Sequence, residues 1–93
     1  MSSPAEPVHL NNHHRNTLRQ LFSHPPSHNI EWHAVVSLLD AVGSVERHRD
    51  GKVAVTVGSQ SAVFTPPAGK DLDTQTAAYL RRMLSAAGYS GGG

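Results

Sequence analysis

The sequence predicts a small α+β domain in the order helix, helix, three antiparallel strands, helix. Three observations predict it. Apolar residues recur at helical spacing from Trp32 to Val42, and again from Ala77 to Ala87. Between those stripes, the turn dipeptides Asp50-Gly51 and Gly58-Ser59 separate three short runs rich in β-branched residues. Pro25-Pro26 and Pro66-Pro67 break the chain where neither a helix nor a central strand continues. With 93 residues the chain is expected to form one domain with a thin core. Residues 1–11 and 90–93, which include "MSSPAEP" and "SGGG", are expected to be disordered tails. The domain then runs over 12–89, with an extra N-terminal helix at about 12–23.

Each element has its own signal. In "NNHHRNTLRQLF", Leu18, Leu21 and Phe22 form a modest apolar face, and Asn11 or Asn12 is the cap. In "NIEWHAVVSLLDAVG", Asn29 is the expected N-cap, with Glu31 in the first turn, where negative charge suits the helix dipole. Trp32, Val35, Val36, Leu39 and Val42 form the buried stripe, and Gly43 stops the helix. "SVERHR" leads into a two-residue Asp50-Gly51 hairpin turn, and "KVAVTV" follows with Val53, Val55 and Val57 on one face. The third strand, "QSAVFT", faces inward either with Ala62 and Phe64 or with Val63 alone. Asp73 is the N-cap of the last helix, and Leu72 and Ala77 form a hydrophobic staple across it. Ala77, Leu80, Met83, Leu84 and Ala87 line its buried side, and Gly88 ends it.

Composition removes several chemistries. The chain has no cysteine, which excludes disulfides, thiolate catalysis and cysteine-based zinc sites. No apolar run is long enough to span a membrane, and no basic segment followed by an apolar stretch opens the chain. A cytoplasmic protein without a membrane partner is the expectation. Seven histidines invite a metal site, with His24, His28 and His33 the most suggestive set. No Asp or Cys joins them at ligand spacing, and adjacent His13 and His14 point apart on a helix, so no metal or other cofactor is expected.

The formal net charge is +1, so only the distribution of charge bears on nucleic acid. Arg47, Arg49 and Lys52 cluster at the first hairpin, and Lys70 lies near the start of the last helix. Together they are candidate phosphate-binding residues, with the free backbone donors of that helix N-terminus as a further anion site. The competing reading is an ordinary solvated sheet face.

The stretch "PPAGKDLDTQTAAYLRRMLSAAGY" resembles the closing motif of the HicA toxin family, through Gly69, Lys70, Asp71, Leu72, Leu80, Ala87 and Gly88. "VVSLLDAVG" followed by three strands fits the same order, and the resemblance covers roughly Ser27 to Tyr89. It implies a fold like the double-stranded RNA-binding domain, with helices on one face of the sheet. It also implies a metal-independent mRNA endonuclease held inactive by a HicB antitoxin, with a Gly-Ser-His active-site motif after the first hairpin turn. Here Gly51 takes the family glycine, Lys52 stands at the serine and Val53 at the histidine. Valine moves no proton, and general acid–base help is typically worth about 10²–10⁴-fold, so activity by the usual residue should be lost. His48 is the remaining catalytic candidate, because imidazole is the side chain suited to proton transfer near neutral pH.

Two functions of different class follow. One is an RNA-binding, HicA-like protein, a degenerate or weak mRNA endonuclease that acts on mRNA and pairs with a HicB-like antitoxin. The other is a non-catalytic interaction module that binds an antitoxin-like partner or itself.

Overall fold

The computed structural model describes residues 10–23 and 30–89. Its elements are α1 (Asn12–Phe22), α2 (Trp32–Val42), β1 (Ser44–Arg47), β2 (Val53–Val57), β3 (Gln60–Phe64) and α3 (Thr74–Ala86). The strands form an antiparallel sheet in the order β1-β2-β3, so the α-α-β-β-β-α architecture is the expected one. The central strand sets the layers. Val53, Val55 and Val57 are buried against the helices, while Thr56 between them is exposed on the other side.

The core joins Leu18 and Leu21 of α1 to Val35, Leu38 and Leu39 of α2, the β2 valines, and Leu80, Met83 and Leu84 of α3. Leu10 also belongs to it at 2% exposed, so the folded unit includes a residue read as tail. Asn11 caps α1, with its side-chain oxygen accepting from the His14 amide at 2.9 Å. The rest of the expected tails, residues 1–9 and 90–93, lies outside the described residues, as do the Pro25-Pro26 break and the expected Asn29 cap.

Two local expectations are corrected at α2. The helix begins at Trp32, and Glu31 is its N-cap residue, with no side-chain cap hydrogen bond. Backbone pairing takes the place of a side-chain cap: the Trp32 amide donates to the Lys70 carbonyl at 2.7 Å, and Leu72 donates to Ile30 at 2.9 Å. This pairing ties the entrance of α2 to the loop before α3. Trp32 itself is half-buried and packs against the core from its margin.

The first hairpin differs from the expected two-residue turn. Gly51 donates to the His48 carbonyl at 3.1 Å, and the His48 amide donates to Lys52 at 2.9 Å. Arg49 and Asp50 are therefore the central turn residues, and Gly51 follows in the left-handed region at φ 91°. The Asp50 carboxylate accepts from the Lys52 amide at 3.1 Å, which fixes the loop. A two-residue turn would have placed Glu46 opposite Val55, on the core side. The observed register pairs Val45 with Val55 and Glu46 with Ala54, so burial of valine rather than glutamate selects the longer loop. In β3, Ala62 and Phe64 face inward and Val63 faces out.

Asp73 caps α3 as expected, accepting from the Thr76 amide at 2.8 Å. Hydrogen bonds from the Thr76 side chain and then its backbone amide hold the Asp73 carboxyl below its ordinary value of 3.8. A value lowered by folding means that the cap's stabilisation is complete above the unfolded value. It fades as pH falls through the lower folded value. Asp73→Ala is expected to lower Tm at neutral pH, with the gap to native closing below pH 3.8. Melting both proteins from about pH 2 to about pH 6 checks this, and a gap that stays constant would show that the carboxylate charge is not its source.

Candidate nucleic-acid interface

The four candidate cations lie toward one end of the sheet but do not form one patch. Arg47 pairs with Val53, which puts it on the helix-covered side of the sheet. There it lines a shallow groove with His33, Val36, Ser37, Asp40 and Val45. Arg49 is at the tip of the turn and Lys52 follows it, both exposed. Lys70 is exposed in the loop whose backbone meets the start of α2. The one-residue change in the hairpin loop is what separates Arg47 from its neighbours, because side chains alternate faces along a strand.

His48 is exposed and lies with Glu46 on the open side of the sheet, their side chains 3.9 Å apart. Glu46 is 80% exposed, so this carboxylate is a loose partner that does not fix the imidazole in one orientation. Arg47 alternates to the opposite face, so the nearest strand cation does not converge on His48. Val53, at the position where the HicA resemblance expects histidine, is 3% exposed and belongs to the core.

The N-terminus of α3, the further anion site expected, is lined by carboxylates. The Asp73 carboxylate takes the Thr76 amide, and Asp71 lines the same loop cavity. An anion there would meet like charge. Of the suggestive histidine set, His24 and His28 lie outside the described residues, and His33 pairs with Glu31. Among the described residues no group of three or more His, Asp or Glu side chains is placed to hold a metal ion.

Sequence reasoning missed the polar face of α2. His33, Ser37 and Asp40 follow one another at helical spacing opposite the apolar stripe. His14 reaches across from α1, its Nε2 3.0 Å from Ser37 Oγ. His13, His14, His33 and Ser37 thus line a cleft of about 240 Å³ between the two helices. The signal was present as polar residues at positions 33, 37 and 40.

Compared with known proteins, the chain matches no protein-family model, no curated protein and no solved structure. No helix among the described residues is long and apolar enough to cross a membrane.

Proposed function

We propose that the chain is an RNA-binding protein of HicA-like ancestry whose nuclease activity has degenerated. The observation that carries this reading is Val53, buried beneath a hairpin that still presents Arg49 and Lys52 to solvent. An apolar core residue neither accepts the ribose proton nor donates to the leaving oxygen. The exposed cations retain the capacity to hold phosphate, a role that needs charge but little geometry. Arg47, on the helix-covered side, and Lys70, in the loop before α3, are secondary phosphate candidates, and an antitoxin of HicB type would cover the exposed hairpin.

The nuclease part is tested by incubating the purified protein with mRNA, beside a His48→Ala variant, without added metal. The expected result is intact RNA in both. Cleavage by the native protein that vanishes in His48→Ala would make His48 catalytic and overturn the degenerate reading. Arg47 gives a second test. Its place on the helix-covered side predicts that Arg47→Ala weakens RNA binding less than Lys52→Ala, and titrations of the two variants at one low salt concentration check the order. A larger loss from Arg47→Ala would move the RNA site into the α2 groove.

A further inference from the structure

We propose that the chain self-associates through β3, two copies pairing antiparallel about Val63 to join their sheets. Among the described residues the large exposed apolar side chains are Val63, at 59%, and Tyr79, at 43%. Both flank the same sheet edge, on opposite faces. Val63 projects from the open face of β3. Tyr79 of α3 packs edge-on against Phe64 with ring centroids 5.5 Å apart, and Arg82 sits 5.8 Å from its ring centroid. The aromatic pair therefore stands at the Phe64 end of β3.

The backbone of this edge is ready for pairing. Val57 and Gln60 flank a two-residue turn in which Gly58 has φ 61°. In such a hairpin the flanking pair is hydrogen-bonded and the pattern alternates, so Val55–Ala62 and Val53–Phe64 are bonded pairs too. The amide and carbonyl groups of Ser61 and Val63 then point away from the sheet. Among the described residues no strand lies beyond β3.

Charge argues for a second copy as the occupant. The other edge strand, β1, carries Glu46 and Arg47, the kind of charge that discourages edge pairing. The β3 strand, "QSAVF", has none. A charged strand laid beside it would find no counter-charge on β3. The chain's own β3 is neutral and self-matching. Pairing about Val63 sets valine against valine and Ser61 against Thr65 on the open face, and Ala62 against Phe64 on the helix side. Pro66 ends the ladder because it has no amide hydrogen to donate. The interface is one short strand with its flanking side chains, at the small end of specific interfaces, so association is concentration-dependent. It is independent of the RNA reading, because none of Arg47, Arg49, Lys52 or Lys70 lies on β3.

The test is sedimentation of the full chain from about 1 µM to about 1 mM, with amide hydrogen exchange at both ends of that range. The native protein is expected to shift from monomer to dimer, and the Ser61 and Val63 amides to exchange more slowly at high concentration. Val63→Lys puts a charge on an exposed position and is expected to weaken the dimer at least about tenfold with unchanged circular dichroism. Ser61→Lys, also on the open face, is expected to do the same and serves if the first variant misfolds. A native protein that stays monomeric to the top of the range would overturn the proposal. So would a dimer that survives both folded variants, or one that leaves the Ser61 and Val63 amides unprotected.

Discussion

Gly43→Ala is expected to destabilise the domain by at least about 3 kcal/mol, at or beyond the usual upper range for overpacking. A β-carbon at this position would lie 1.9 Å from the Thr56 carbonyl oxygen and 3.1 Å from the Val57 α-carbon. Both atoms are backbone of the central strand, which is held by β1 on one side and β3 on the other. Neither swings aside as the end of a flexible side chain would. Relief requires moving the α2–β1 junction away from β2, beside core residues Val42 and Val57. A domain of this size is stable by roughly 5–15 kcal/mol, so the loss is a large fraction of the total. Urea unfolding of the variant measures it. Gly69→Ala is the control, because a β-carbon there meets nothing within 4 Å, and its midpoint should match the native one. A Gly43→Ala midpoint equal to that control would show that the helix–sheet approach is looser than the structure has it.

Leu80→Ala is expected to cost about 3–5 kcal/mol, the upper part of the range for a fully buried leucine. Leu80 is 0% exposed and lies in the cluster where α3 meets the other two helices and the sheet. Truncation removes apolar surface and leaves a void that the surrounding layers cannot close without shifting one another. Trp32→Ala should cost less than Leu80→Ala despite the larger side chain, because Trp32 is only half-buried. Equilibrium unfolding of the pair decides the order, and a tryptophan variant that proves the weaker would place Trp32 in the core after all.

Much of the architecture was legible because local signals and packing agree. The spacing of Leu80 and Leu84, the alternation of Val53, Val55 and Val57, and the Asp73 cap each point the same way in sequence and in space. What was not legible depended on partners distant in sequence. The start of α2 is set by the Lys70 carbonyl, 38 residues downstream of the Trp32 amide it accepts from, and no propensity near Asn29 reports that. The hairpin loop carried a strong Asp-Gly signal, but a two-residue turn would have turned Glu46 onto the core side, and burial of Val45 prevailed over local turn preference. That single residue of register also decided the candidate site. A two-residue turn would have put Arg47 on one face with Arg49 and Lys52, whereas the observed register turns Arg47 to the helix-covered side and sets His48 opposite Lys52. The burial of Val53 was legible, because its alternation with Val55 and Val57 does not depend on the turn.

The central claim, phosphate binding by a hairpin without catalysis, is tested most directly by titrating single-stranded RNA with the native protein and with an Arg47→Ala, Arg49→Ala, Lys52→Ala variant. Each titration is run at several salt concentrations, and the RNA length is checked afterwards on a gel. The account predicts salt-sensitive binding by the native protein and weaker binding by the variant. The logarithmic salt slope should flatten by about 0.7 for each phosphate that the variant no longer neutralises. It also predicts full-length RNA in every sample. Equal affinity and equal slope for the two proteins, or RNA cut by the native chain, would contradict it.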